Sequence, residues 1–345
     1  MKLRVGMLFL LILLSLGACR TPAQAPPVAG NAPSRVMPGL NADQVRTLGS
    51  LRKVDAYPLY TMTYYGGYKV LGSQVAVPSR VVVSSDRWAC SLFAAFGNPQ
   101  HAVYGRNFDW QFSPSVLLFT HPPDGFASVS MVDITYLGFG SNDVAALTTS
   151  SKRANLLNAP LLPFDGMNEY GLTIGMAAVP GAKEPIDAHK PTVGSLRIIR
   201  LMLDHARNTD EALTLLQAYN IDFSGGPSLH YLIADPSGHA ATVELKEGAV
   251  EVVRNSMPWQ ITTNFYLAGA SDAVKAGDWR YNTANTWLQA KQGSITPENA
   301  MQLLARVRQT ITQWSIVYDM STGKVHVAML QEYGNLHTFH LSLQS

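Results

Sequence analysis

The sequence predicts a mixed α+β domain, and three observations carry that expectation. Short apolar runs bounded by Gly, Pro, Asn and Asp recur between Tyr57 and Met329 and read as strands, several of them paired in hairpins. Two stretches, residues 196–219 and 296–311, instead repeat apolar side chains at helical spacing. Once a leader and a proline-rich segment are set aside, about 300 residues remain, enough for one large domain with a substantial core.

The leader spans residues 1–18. Lys2 and Arg4 precede an apolar run over residues 5–16, and Gly17-Ala18 closes it with small side chains. The run is shorter than the roughly 20 apolar residues a membrane span needs, and the whole pattern reads as an export signal. Leu16-Gly17-Ala18-Cys19 resembles the bacterial lipobox, which makes Cys19 the expected lipidation site and mature N-terminus, with the body anchored on an extracytoplasmic membrane face. Residues 19–40 follow as a tether: Pro22, Pro26, Pro27, Pro33 and Pro38 punctuate a stretch without apolar periodicity, and such chain stays extended and hydrated. Loss of Lys2 and Arg4 from the 26 cations leaves 24 against 24 carboxylates, so no basic footprint for nucleic acid remains. From Tyr57 to Val83 the chain is rich in Tyr and Val, with Gly66-Gly67 and Pro78 as punctuation, and reads as short strands.

Cys90 is the only cysteine besides Cys19. An exported thiol without a disulfide partner needs another reason to be there, and reactivity is one. Residues 91–96 are apolar enough for a strand, Gly97-Asn98-Pro99 is turn chemistry, and Ala102-Val103-Tyr104 leads a second strand into Gly105-Arg106-Asn107-Phe108-Asp109. The hairpin returns Arg106 and Asp109 to the neighbourhood of Cys90, where a guanidinium favours thiolate, the nucleophilic form. A buried structural cysteine near a surface ion pair would use the same residue types.

Further elements follow in order. Residues 115–119 and 128–132 read as strands on either side of His121-Pro122-Pro123-Asp124-Gly125. Within residues 196–219, Asn208-x-x-Glu211 resembles a capping box that starts a second helix. Residues 231–234 and 241–245 form a hairpin across Asp235-Pro236-Ser237-Gly238, extended by residues 250–253. Pro297 suits the first position of a helix burying Ala300, Leu303, Leu304, Val307 and Ile311, and residues 315–319 and 325–329 make a last hairpin.

The Cys90-x15-Arg106-x2-Asp109 spacing, with Gly-Arg-Asn-Phe-Asp-Trp around its end, resembles the choloylglycine hydrolase family of N-terminal nucleophile (Ntn) amidases, to which acid ceramidase and isopenicillin N acyltransferase look related. Asn168-Glu169-Tyr170-Gly171-Leu172, Ile261-Thr262-Thr263-Asn264 and Asp278-Trp279-Arg280-Tyr281 add to it, so that the resemblance covers roughly residues 85–335. It implies a four-layer αββα sandwich, where periodicity gives only mixed α and β. It also implies a precursor that cuts itself between Ala89 and Cys90, freeing an α-amine as the general base. An unperturbed α-amine titrates at about 7.7 to 8.0, close to an operating pH, so no histidine is required. On the same resemblance Asn168 contributes to the oxyanion hole, Asn264 is a second polar support, and Arg280 holds the nucleophile's surroundings or a substrate carboxylate. Residues 41–89 then become a propeptide or a small bound subunit, and residues 90–345 the catalytic domain. Ala89 and Trp88 precede the nucleophile where small residues such as glycine are common.

The expected activity is hydrolysis of a linear, non-peptide amide in a small N-acyl substrate, with an acyltransferase of the isopenicillin N type as an alternative. A cysteine peptidase with a histidine base and a non-catalytic surface-binding lipoprotein are two others. No cofactor or metal is expected, because Cys90 lacks nearby ligands at metal spacing and no phosphate loop or dinucleotide fingerprint appears. Phe93, Phe96, Phe108, Trp110, Leu117, Phe119, Tyr136 and Phe139 are candidate walls of an apolar acyl pocket, about half of which alternation would turn inward.

Overall fold

The computed structural model describes residues 39–71, 89–144, 147–149, 151–183, 186–224 and 226–344. The leader, most of the tether, Cys19 and Trp88 lie outside the described residues.

Two sheets occupy the centre, with strands numbered in chain order. The first runs β1 (Arg52–Lys53), β2 (Leu59–Tyr64), β5 (Ser115–Thr120), β6 (Ser128–Asp133), β7 (Asp165–Asn168), β8 (Thr173–Ala178), β11 (Leu229–Ala234), β12 (Ala240–Lys246) and β13 (Ala249–Arg254). The second runs β14 (Trp259–Thr262), β3 (Ala89–Asn98), β4 (His101–Asp109), β15 (Thr312–Asp319), β16 (Lys324–Met329) and β17 (His337–His340). Neighbours in both sheets are antiparallel except β2, which lies parallel to β5. A separate parallel pair joins β9 (Thr192–Gly194) to β10 (Asn220–Asp222).

Helices close both outer faces. On the first sheet, α3 (Arg197–His205) packs against β7 and β8, and α4 (Thr209–Gln217) against β11. On the second, α6 (Trp279–Ala290) covers β14 and β3, while α7 (Pro297–Arg306) covers β4 and β15. The shorter α1 (Ala42–Gly49) leans on β2, and α2 (Ser141–Val144) and α5 (Asp272–Gly277) sit in connections. The layers are therefore helix, sheet, sheet, helix.

Strand alternation decides which side chains reach the inter-sheet layer. On β3, Cys90, Leu92 and Ala94 join the large core between the sheets, whereas Phe93 and Ala95 join the core beneath α6 and α7. The register pairs Cys90 with Phe108, Leu92 with Arg106 and Ala94 with Tyr104, so Arg106 shares the face of the thiol and sits diagonally from it. Gly175 on β8 lets the sheets meet there: a Cβ would lie 2.8 Å from Leu92 and 2.7 Å from the Tyr104 hydroxyl. Gly171 turns the chain between β7 and β8 at φ +77°, a left-handed conformation that side chains disfavour.

Several sequence expectations need correction at element ends. Ile311 lies beyond α7, which stops at Arg306, because the chain turns there to enter β15. Residues 315–319 and 325–329 pair as expected in β15 and β16, but that hairpin is not the last, since β17 adds a further strand beside β16. The Asn208 side chain does cap α4 by accepting from the Glu211 amide, but the reciprocal bond is absent: Glu211 accepts from the Arg207 amide instead.

Candidate active site

Cys90 is 4 % exposed and lies at the floor of a cavity of about 540 Å³. Strand β14 ends at Thr262, opposite Leu92, so the ladder runs out before it reaches Cys90. Side chains take over. The Cys90 amide donates to Asn264 Oδ1 at 2.7 Å, and Arg280 Nη1 donates to the Cys90 carbonyl at 2.8 Å and to Asn264 Oδ1 at 2.9 Å. Asp278, the N-cap of α6, aims that guanidinium by accepting from Arg280 Nη2 at 3.1 Å. The thiol is met by the third handle, Arg106 Nη2, at 3.9 Å.

Arg106 has no exposed surface and needs a counter-charge. Asp165, at the start of β7, supplies it at 2.5 Å, and the Tyr318 hydroxyl donates to the other oxygen of the same carboxylate. The Phe164 carbonyl also accepts from Arg106 Nη1 at 2.6 Å. Burial acts to lower the Arg106 pKa, but Asp165 and Cys90 outweigh it and hold the guanidinium charged. Burial is also the leading influence on Cys90: it raises the thiol pKa above the ordinary value, with Arg106 and a hydrogen bond from the Asp109 backbone working against the rise and the Asp109 charge adding to it. The thiolate bias expected from Arg106 has the anticipated sign but is outweighed by the desolvation of the buried sulfur.

Asp109 pairs with Ala89, one position out of phase with the thiol, and its side chain takes the other face of β4. There it accepts from Gln309 Nε2 at 2.9 Å and from the Thr312 hydroxyl. Burial pushes its pKa up to about 6 against these donors and against Arg280 and Arg106. It still lines the cavity beside Ala89 and Cys90.

Asn168 is not brought to this cluster. It lies at the opposite end of β7 from Asp165, and its Nδ2 donates to the Leu203 and Ala206 carbonyls at 3.0 and 2.7 Å, satisfying the C-terminal end of α3. Its Oδ1 accepts from the Tyr170 amide at 3.0 Å. An amide so occupied has no donor left for an oxyanion, so the role that resemblance implied for Asn168 is corrected to a structural one.

Asn264 is held from below. Its Nδ2 donates to the Ala178 carbonyl at 2.6 Å, at the cavity wall. The loop that carries it is pinned by two buried residues that no sequence motif marks as functional: His230 Nε2 meets the Thr263 carbonyl at 2.6 Å, and Glu244 accepts from the Leu267 and Ala268 amides at 2.7 and 2.9 Å. Neither residue stands near Asn264 in sequence, so only the pairing of β11 with β12 brings them together.

The cavity wall includes Phe108, Trp110 and Tyr136 as expected, together with Leu162, Phe164 and Met176. Phe93, Phe96, Leu117, Phe119 and Phe139 do not line it. Phe93 occupies the helix side of β3, against the space left by Gly105, where a Cβ would come within 2.4 Å of its ring. Phe108 stacks on Trp314 at 4.0 Å between ring centres and meets Phe164 edge-on at 5.4 Å, which fixes an aromatic wall beside the thiol. Among the described residues no histidine lines the cavity. Nor does any group of three His, Cys, Asp or Glu among them stand close enough to hold a metal.

A sandwich of two sheets with a cysteine at the second position of a central strand is an Ntn-hydrolase fold, and solved structures share it. A mutant of the conjugated bile acid hydrolase from Clostridium perfringens is similar with a TM-score of 0.54 and 14 % identity, over 73 % of this chain and 92 % of that one. Penicillin V acylase from Agrobacterium tumefaciens is similar with a TM-score of 0.52 and 16 % identity, over 73 % of this chain and 86 % of that one. No curated protein matches the chain by sequence. A family profile for linear amide C–N hydrolases of the choloylglycine hydrolase family matches residues 90–265, just over half of the chain, and begins at Cys90 itself. The chain belongs to that family and is an amidase acting on linear amide C–N bonds.

Proposed function

We propose that Cys90 is the nucleophile of this amidase and that the protein prepares it by cutting its own chain before that residue. The observation that carries the reading is the separate address of all three polar handles of Cys90: its nitrogen by Asn264, its carbonyl by Arg280 and its sulfur by Arg106. A cysteine that merely fills a core needs none of these.

In the cut, Cys90 Sγ attacks the Ala89 carbonyl, the C–N bond to Cys90 breaks, and the nitrogen takes a proton to become the α-amine. Water then hydrolyses the Ala89 thioester. In turnover, the α-amine held by Asn264 Oδ1 accepts the thiol proton, the thiolate adds to the substrate's acyl carbon, and the proton passes to the departing amine. Asn264 Nδ2, which rests on the Ala178 carbonyl in the uncut chain, is the donor for the tetrahedral oxygen. Water cleaves the thioester, releasing the carboxylic acid. The aromatic wall suits an apolar acyl group, each buried methylene of which contributes about 0.8 kcal/mol.

Residues 41–89 remain bound as a small subunit on this reading. Strand β2 runs parallel to β5 with Leu59, Tyr60 and Met62 all but fully buried. Cys19 would carry lipid and hold the assembly at an extracytoplasmic membrane surface, where a diacyl chain with a second acyl group exceeds the two signals stable anchoring needs. Fractionation of cells expressing Cys19→Ala beside the unaltered protein tests the anchor: a detergent-free soluble wild type, or a variant that stays in the membrane, refutes it.

Intact mass and N-terminal sequencing of purified protein test the mechanism. Two fragments that co-purify, the larger beginning at Cys90, are expected, with Cys90→Ala remaining a single inactive chain. Turnover by protein still joined at that bond would refute the mechanism. An uncut protein that binds an N-acyl compound without turnover would support a non-catalytic role.

A further inference from the structure

The Asn264 side chain is held by the Cys90 amide, Arg280 and the Ala178 carbonyl. Once Nδ2 turns to the tetrahedral oxygen, its contact with Ala178 is lost, and the backbone of the loop decides where the amide points. Strand β14 has already ended at Thr262, so the ladder with β3 no longer fixes that backbone.

His230 and Glu244 take the ladder's place. Tyr231 pairs with Val243, so one step along the same antiparallel register His230 stands opposite Glu244, and neither has any exposed surface. His230 Nε2 lies 2.6 Å from the Thr263 carbonyl, which belongs to the peptide unit that leads into Asn264; Asn264 Oδ1 in turn lies 2.7 Å from the Cys90 nitrogen. Glu244 closes the far side of the loop by accepting from the Leu267 and Ala268 amides, and its Oε1 meets His230 Nδ1 at 3.3 Å. Thr242, on the same face of β12, meets the Thr262 hydroxyl at 2.7 Å, so the first sheet carries both the end of β14 and the loop. Burial acts to raise the Glu244 pKa, but the donors from His230, Leu267 and Ala268 outweigh it and hold the carboxyl below its ordinary range. A carbonyl and a carboxylate have no proton to offer, so the imidazole satisfies both only with a proton on each nitrogen. For filling space, such a pair is a poor choice, since apolar side chains of similar volume are often as stable or more so. What the pair adds is direction: it aims hydrogen bonds at the backbone on both sides of Asn264.

We propose that His230 and Glu244 are a positioning pair for Asn264, serving self-cleavage and turnover rather than the stability of the fold. Neither lines the cavity, so both act through the loop. The proposal rests on the reading of Cys90 and Asn264 given above and deepens it.

The test uses His230→Phe/Glu244→Leu, which removes the donors and the buried charge together, beside His230→Gln, which keeps one donor. In a Cys90→Ala background, urea denaturation should give the double variant a midpoint at or above that of its parent. In the cleavable chain, self-cleavage followed by intact mass, and kcat per cut molecule for a fluorogenic N-acyl aminocoumarin amide, should both fall by about 10²-fold, the scale of a misplacement of about 1 Å. KM should change little, and His230→Gln should recover part of the loss. Hydrogen exchange supplies a readout independent of activity: in uncut Cys90→Ala chains the amide of residue 90 should exchange about tenfold faster in the double variant, with the amides of β15 unchanged. Wild-type kcat and self-cleavage in a folded double variant overturn the proposal. So does a double variant that fails to fold, because the pair then serves stability. If the wild type is neither cut nor active, the reading of Cys90 and Asn264 fails separately, and exchange decides the matter: acceleration confined to residue 90 and the loop supports the pair's positioning role, and unchanged or uniformly faster exchange overturns it.

Discussion

At the Cys90 end of the cavity, the nitrogen, carbonyl and sulfur of one residue are all held before any substrate arrives, each by a side chain that is itself held. At the α3 end, Thr192, Arg197 and Ser224 line the cavity, and among the described residues the Arg197 guanidinium has no ion pair or hydrogen bond. Chemistry gains from groups fixed in advance, since donors that do not reorganise stabilise developing charge most strongly. Selection gains from groups still unsatisfied, because only those discriminate between one ligand and another. Substitutions at the first end should therefore act on kcat and on self-cleavage, and those at the second on KM.

Cys90→Ala is the most severe test of the fixed end: self-cleavage and turnover should both be absent, read by intact mass and by product release. Asn264→Ala should follow, slowing turnover by about 10² to 10³-fold as expected for loss of an oxyanion donor. If kcat survives and only KM rises, Asn264 belongs to selection and the division between the ends is misplaced.

Asp109 sharpens the comparison through stability. Its folded pKa of about 6 lies above the ordinary 3.8, so the fold favours its protonated form and the charged form is a burden. The burden grows as pH rises from about 4 through 6, and a shift of this size corresponds to roughly 3 kcal/mol at most. In a Cys90→Ala background that prevents cutting, the stability of Asp109→Asn relative to Asp109 should climb over that pH window, as followed by urea denaturation. A difference that stays constant from pH 4 to 7 would refute the raised pKa. The smallest effect is expected at Asn168. Asn168→Ala leaves two carbonyls of α3 without a donor and should cost about 1–3 kcal/mol, with kcat per folded molecule within about twofold of wild type. A hundredfold fall in kcat at unchanged melting temperature would restore Asn168 to the reacting centre.

These contrasts also show how far local sequence reaches. The hairpin around Asn98, the face shared by Cys90 and Arg106, and the helix starts at Asn208 and Pro297 follow from period and turn chemistry over a few residues. The motif around Asn168 misleads because a short motif names residue types without saying where each side chain goes. Three positions earlier, Asp165 reaches Arg106 while Asn168 reaches the end of α3. A buried arginine demands a buried acid, and that demand was the available signal for Asp165. Arg197, His230 and Glu244 give no local signal, since what stands beside them is set by the path of separate strands and loops rather than by adjacent sequence.

Strand β2 comes from the chain upstream of Cys90, yet its partner β5 lies downstream of it. A gene trimmed to start at the reactive cysteine would therefore leave β5 with an open flank rich in Val116, Leu117 and Leu118, an edge of the kind that recruits other chains. Making the two pieces separately is expected to give aggregates, whereas making them as one chain brings β2 to its place beside β5. With the proposed self-cleavage, the upstream segment would act as a folding template kept after the covalent link is cut.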